Sequence, residues 1–351
     1  MQEINKKYND IVYADTHEVL LVPQYSDIQS RDDIDASTIY SVNKEEEQLK
    51  IFNPIISANM DTVTGFKMAE AMTKSGACGF IHRYMTREEI LQGIHDLNLS
   101  SKVPTHIIQA IGVNDQIEFG IEVLDAGASG LCVDVAHGHH VKVINTIKGI
   151  LKERPNAHII AGNIATEEAA IDLIEAGATG LKVGIGPGHV CTTRTQTGCG
   201  LSQMVAVQLV AKAARGMSQL SNRTRRVPVI ADGGIKNSGE IVKLLAAGAD
   251  AVMSGFLFAG CKESEAVINN KTKTNDDGSV MAIYRGMAGS EAQQDYKGFS
   301  KNIEGRSVGV PSKGSVSHII EGLMDGVRSG MSYCGARNIK ELHSKARVMK
   351  I

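Results

Sequence analysis

Eight short apolar runs alternating with amphipathic helical stretches predict an α/β chain folded as a closed (β/α)8 TIM barrel. The strongest sign is a phrase that recurs three times. It reads VLDAGASGLCVDV from Val123, LIEAGATGLKVGI from Leu173 and LLAAGADAVMSGF from Leu244. Each copy is the end of a helix, an Ala-Gly-Ala turn and a buried strand. Gly127, Gly177 and Gly248 stand where a helix stop favours a left-handed residue without a Cβ. With that template, strand candidates fall at 54–58, 79–82, 107–112, 130–135, 158–162, 180–185, 227–231 and 251–254. Helical stretches at 67–75, 87–98 and 167–175 separate several of them. Eight strands favour a closed barrel over an open sheet.

Length and composition agree with one decorated barrel. The chain has 351 residues, 42% hydrophobic and 22% charged, enough for a large core and too apolar for wholesale disorder. A formal charge of −2 offers no basic excess for gripping nucleic acid. No run approaches the ~18–20 apolar residues of a membrane helix. The polar start MQEINKKYND lacks a signal peptide's apolar stretch, so the expected location is the cytoplasm, with no membrane partner. Six scattered cysteines (Cys78, Cys132, Cys191, Cys199, Cys261, Cys334) form no CxxC pair, which argues against disulfides and zinc. Each reads by default as a small buried hydrophobe, and one needs another explanation.

Two segments fall outside the repeat. Residues 1–50 read as a polar N-terminal arm. Residues 261–316 interrupt the last βα unit as a flap-like insertion, after which helix returns at about 315–329. The expectation is one catalytic domain over 1–351.

Chemistry in such barrels gathers at the C-terminal strand ends. After the sixth strand comes GIGPGHVCTTR (184–194), where glycines crowd the approach to Cys191. A cysteine so presented is placed to act as a thiolate nucleophile, although glycine loops beside an inert cysteine are common. After the seventh strand, Asp232-Gly-Gly234 offers a carboxylate suited to ribose hydroxyls, or simply a helix cap. Ser254-Gly-Phe256 follows the eighth, a usual place for phosphate. Phosphate and ribose together indicate a nucleotide. Three histidines in AHGHH (136–140) invite a metal, but no carboxylate or cysteine has suitable spacing, and Asp134 is the better ligand contact.

Ser57-Ala-Asn-Met-Asp-Thr-Val63, AHGH, Ala161-Gly-Asn163, GIGPGHVCTTR, ADGG, Tyr284-Arg-Gly-Met287 and the ending Arg328-Ser-Gly-Met-Ser-Tyr-Cys-Gly-Ala336 occur in order from about residue 15 onward. This series resembles the IMP dehydrogenase/GMP reductase family. The resemblance implies a tetrameric barrel that binds a purine nucleoside 5′-monophosphate, GMP or IMP. A cysteine adds to C2 of the purine, and hydride moves between C2 and a nicotinamide. By that likeness Cys191 is the nucleophile, with Thr193 and Glu304 handling protons. Asp232 holds the ribose, while Gly233, Gly234, Gly255, Phe256, His189 and Tyr284 surround the phosphate. Ala58, Met60, Gly286, Met287 and Gly305 complete the nucleotide site. Arg83, Asp134, Val135, Ala136 and Asn163 match cofactor-side positions, and the carbonyls of Gly186, Gly188 and Cys191 match a K+ site.

Direction is set by finer marks. The family's dehydrogenases usually carry a pair of CBS modules between the second strand and its helix; here IHRYMTREE runs directly into LQGIHDL, so no CBS domain is expected. They also use an Arg-Tyr pair on the flap to activate water, yet residues 288–304 hold no arginine, only Gln294-Asp-Tyr-Lys297. Asn59, Thr197-Gly198 and EGRSVGVP from Glu304 also look reductase-like, against MDTVT (60–64) and RSGMSYCGA, which look dehydrogenase-like. The reading is NADPH-dependent conversion of GMP to IMP and ammonia. The alternatives are oxidation of IMP to XMP with NAD+ and water, and a catalytically idle purine-nucleotide binder. Two positions depart from the family: His189, where serine is common and a cationic imidazole could meet phosphate, and Phe256, which brings no side-chain donor.

Overall fold

The structure, a computed structural model, describes residues 11–351 except 102–104, 114–115, 221–223 and 275–279; the start of the arm and part of the polar 269–279 piece lie outside the described residues. Eight strands close a parallel barrel: β1 (Ile55–Ser57), β2 (Cys78–Ile81), β3 (Ile108–Ile111), β4 (Gly130–Asp134), β5 (Ile159–Ile164), β6 (Gly180–Val183), β7 (Val229–Asp232) and β8 (Ala251–Ser254). Each overlaps the apolar run read from the sequence. Helices α1 (Phe66–Lys74), α2 (Arg87–Ser100), α3 (Ile117–Asp125), α4 (Val141–Glu153), α5 (Glu167–Ala176), α6 (Gln203–Leu220), α7 (Ser238–Ala246) and α8 (Val316–Tyr333) complete the units.

Local chemistry sets the helix ends. A capping box at Thr86 and Glu89 starts α2, and Asn237 accepts the Glu240 amide to start α7. Gly127, Gly177 and Gly248 all take positive φ, at 100°, 104° and 117°, so the repeated phrase is a repeated helix stop. His140 caps α4 by accepting the Lys142 amide, and His139 pairs with Asp172, which gives two of the three clustered histidines structural work.

Strand side chains alternate between two cores. Ile56, Phe80, Ile108, Ala110, Cys132, Ile160, Ile230 and Met253 fill the barrel lumen, while Ile55, Ile81, Leu131, Val133, Ile159, Leu181 and Val252 face the helices. The lumen is therefore packed below its upper rim, and the C-terminal strand ends face an open cleft.

The arm is less polar in its role than in its composition. Its strands Thr38–Val42 and Gln48–Ile51 form a hairpin that plugs the barrel bottom. Tyr40 is fully buried there against Phe80, with its hydroxyl 3.0 Å from His106 Nδ1. Val19–Leu21 pairs antiparallel with Val348–Lys350 at the other end of the chain. The insertion folds as a three-stranded antiparallel sheet (Thr272–Thr274, Val280–Arg285, Ser307–Val310) carrying a short helix, Ser290–Lys297. Cys199 corrects the expectation of a buried cysteine: it is exposed, because the left-handed Gly198 turns the chain outward after a one-turn helix.

Two buried histidines make stability depend on pH. Burial pushes His82 and His158 down to about 4, so both are neutral in the folded protein. Between pH 6.5 and about 4 the unfolded chain binds more protons, so stability falls as the pH falls, by about 2 kcal/mol per histidine at pH 5. Urea unfolding at pH 7 and pH 5 should show this loss. His82→Gln and His158→Gln should each flatten it; an unchanged slope in both variants contradicts the assignment.

Candidate active site

The C-terminal strand ends enclose a cleft of about 350 Å3. Into it project Ala58 and Met60 after β1, Arg83 after β2, Asp134, Val135 and Ala136 at the end of β4, and Asn163 on β5. Gly186, Gly188, Cys191 and Thr193 follow β6, Asp232 and Gly233 close β7, and Gly255 follows β8. The insertion adds Tyr284, Gly286, Met287 and Glu304. A small annex beside Gly188 and Gly255 holds His189, Gly234 and Phe256. Gly305 lies behind the cleft wall, bridged to Cys191. The sequence-predicted residues thus converge on one mouth, although they are spread from position 58 to 305.

Four of the six thiols are removed from consideration by burial. It pushes Cys78 and Cys261 up to about 12 and also raises Cys132 and Cys334. Cys191 is half-buried in the cleft and Cys199 lies outside it. The Cys191 thiol donates to Thr193 Oγ1 at 3.2 Å, and that hydroxyl donates to Glu304 Oε2 at 2.7 Å. Sulfur, hydroxyl and carboxylate form a continuous path for a proton. Backbone bonds hold Glu304 there: the Thr192 amide donates to the Glu304 carbonyl at 2.8 Å, and the Arg306 amide to Val190 at 2.9 Å. On its other side Gly305 packs closely on the insertion itself, where an added Cβ would lie 3.0 Å from the Gly289 nitrogen.

The floor carries a charge that the sequence reading missed. Lys182, fully buried on β6, reaches Asp134 at 2.6 Å and Asp232 at 2.9 Å. Burial alone would lower its pKa, but the two carboxylates outweigh burial and raise it above the usual lysine value. Burial likewise tends to raise Asp134, and Lys182 overcomes that and leaves it below the usual carboxylate range. Asn163 fills the fourth corner. Its amide donates to Asp232 at 2.9 Å and to the Gly184 carbonyl at 2.8 Å, and its oxygen accepts from Lys182. Asn163 thereby braces Asp232 from the floor of the cleft, which it lines together with Asp134 and Ala136. The signal was available: Lys182 is the one charge in an apolar strand, and such a charge needs partners.

At the annex, the His189 and Phe256 rings meet tilted by 42° with centroids 4.6 Å apart, and the Lys313 ammonium lies 4.6 Å from the Phe256 ring centre. Burial, then Arg306, Lys236 and Lys313, lower the pKa of His189, and those three side chains bring positive charge near the annex. At the opposite side, Arg83 lies over the Tyr84 ring, and Arg83 Nε is buried with no partner among the described residues. Tyr296 of the insertion stacks on Tyr84 at 4.3 Å, and the Tyr84 hydroxyl donates to the Met287 carbonyl. Buried Arg285 joins Asp61, after β1, to Asp295 on the insertion helix.

An IMP dehydrogenase / GMP reductase domain model matches residues 14–351. The chain belongs to this family. Family members are NAD(P)-dependent oxidoreductases. Among relatives, a GMP reductase of Streptococcus pyogenes is 36% identical, with 95% of this chain and 94% of that protein covered. GMP reductase 2 of Homo sapiens is 33% identical over 97% and 94%. An inosine-5′-monophosphate dehydrogenase of Nitrosopumilus maritimus is 30% identical over 95% and 94%. A crystal structure of a Trypanosoma brucei GMP reductase in complex with guanosine 5′-monophosphate superimposes with a TM-score of 0.85 at 27% identity, covering 99% of this chain and 97% of that one. Besides Lys182, the sequence reading missed Tyr84 and Lys313, aromatic and cationic positions whose partners lie more than 50 residues away along the chain.

Removing Lys182 should expose how the floor is held. Lys182→Met leaves two carboxylates facing one another and should cost about 3–5 kcal/mol in urea unfolding at pH 7. A loss below about 1 kcal/mol would contradict a central role for this lysine.

Proposed function

We propose that this chain reductively deaminates GMP to IMP and ammonia with NADPH. The observation that carries the reading is the Cys191–Thr193–Glu304 path, set at the lip of a cleft whose far wall offers a carboxylate and an anion annex. Cys191 sulfur adds to C2 of the purine. The bond from C2 to the exocyclic nitrogen then breaks, and ammonia leaves with a proton delivered through Thr193 and Glu304. Hydride enters at C2, the carbon–sulfur bond breaks, and IMP departs. The proton path also counts against an idle nucleotide binder, which needs no nucleophile.

Asp232, fixed by Lys182 and Asn163, receives the ribose hydroxyls, and the annex takes the phosphate amid Lys236, Lys313 and Arg306. Ala58, Met60, Gly286 and Met287 enclose the base. The partnerless Arg83 Nε, with Asp134, Val135, Ala136 and Asn163, suits a nicotinamide cofactor, which supplies hydride when bound. The carbonyls of Gly186, Gly188 and Cys191 are hard oxygen donors of the kind a K+ ion takes, and such an ion would brace the loop. The assembly is a cytoplasmic homotetramer in this reading. Reductase direction is supported by the insertion helix: Asp295 is paired with Arg285 and Tyr296 is stacked on Tyr84, so this phrase docks the helix and presents no base to activate water.

Incubation with GMP plus NADPH should give IMP, and Glu304→Gln should lower kcat about 10²–10⁴-fold. Turnover of IMP with NAD+ and none of GMP would overturn the proposal.

A further inference from the structure

A second cavity lies at the other end of the barrel. It measures about 660 Å3 and opens between the arm hairpin, the loop before β7 and the C-terminal helix Ile339–Lys345. Its apolar walls are Ile39, Val42, Pro228 and Ile339. Its charged lining is lopsided: Lys50, Arg225, Arg226 and Lys340 face only Asp35 and Asp250, on a chain whose net charge is −2.

Both carboxylates are already engaged. Asp250 accepts from Arg226 at 2.9 Å and from the Val229 amide at 2.7 Å, and Asp35 accepts the Ser37 amide at 2.9 Å. Lys50, Arg225 and Lys340 have no carboxylate within ion-pair distance among the described residues. Burial lowers the pKa of Arg215, behind the wall, and repulsion from Arg226 adds to it; burial also lowers that of His343 on the lining, whose ring nitrogen meets the Ala249 carbonyl at 2.9 Å. Four cations thus face two carboxylates, Asp250 paired with Arg226 and Asp35 acted on by Lys50, and a multiply charged anion relieves the excess.

We propose that this cavity is a second ligand site, separate from the catalytic cleft, that binds the polyphosphate chain of a nucleoside di- or triphosphate. The forked Arg225 and Arg226 suit phosphate oxygens, with Lys50 and Lys340 as point charges on either side. The volume fits a nucleotide-sized ligand. The lining holds no aromatic ring but His343, so the phosphates, and not the base, provide recognition.

The test is calorimetric titration of the full chain with GTP and, separately, with inorganic tripolyphosphate. Variants are Arg225→Glu and Lys340→Glu, both at exposed positions, with Lys236→Glu at the catalytic mouth as a control and thermal unfolding as a check on folding. Both probes should bind the unaltered protein, more weakly as salt rises. Each cavity variant should weaken both at least about tenfold, while Lys236→Glu leaves them within about twofold. Several results overturn the site: no binding at millimolar probe, equal binding by the cavity variants, loss with Lys236→Glu instead, or capture of RNA through these charges without either probe. Failure here leaves GMP turnover untouched, and failure of GMP turnover leaves this binding untouched.

Discussion

A buried ammonium governs the upper rim of this barrel. Lys182 rises into the lumen from β6 and meets Asp134 from β4 and Asp232 from β7, with Asn163 from β5 closing the ring. Four neighbouring strands are tied at the level where packing ends and chemistry begins. A Cβ on Gly162 would lie 2.7 Å from Lys182 Cβ, so the β5 backbone leaves room for the lysine stem. Each ion would be costly alone in this setting; together they hold one geometry. Asp232 therefore presents its carboxylate in a fixed position, as positioning of a substrate requires.

The second constraint is the insertion. It brings Glu304 to Cys191, 113 positions earlier in the chain, by pressing its backbone against the Cys191 loop through Gly286 and Gly305, with Gly289 packed against Gly305. The same segment is fastened over the mouth by Arg285 between Asp61 and Asp295 and by the Tyr84–Tyr296 stack. The Glu304–Thr193 contact and the cover over the cleft thus belong to one element.

Much of this was legible in the residues because barrel units are local. Strand, loop and helix follow one another within about 30 residues, and the glycine stops at Gly127, Gly177 and Gly248 repeat at the same place in three units. Long-range pairings were less legible. Glu304 could be matched to Cys191 only by family resemblance, since nothing local announces it. The hairpin that plugs the barrel bottom was read as a polar arm because its turn, residues 44–47, is charged and its buried residues, Tyr40 and Leu49 among them, find their partners only under the barrel. The burial of His189 and the nearness of Arg306 and Lys313, which lower its pKa, were not legible either, because both cations lie more than 100 residues away and only the fold brings them close.

The central claim is that Cys191 forms a bond to the purine, and the most direct measurement is a rapid quench of the protein with GMP, followed by peptide mass spectrometry. The account predicts a nucleotide adduct on the peptide bearing Cys191, absent from Cys191→Ala. No adduct under turnover, or an adduct on exposed Cys199 alone, would contradict it.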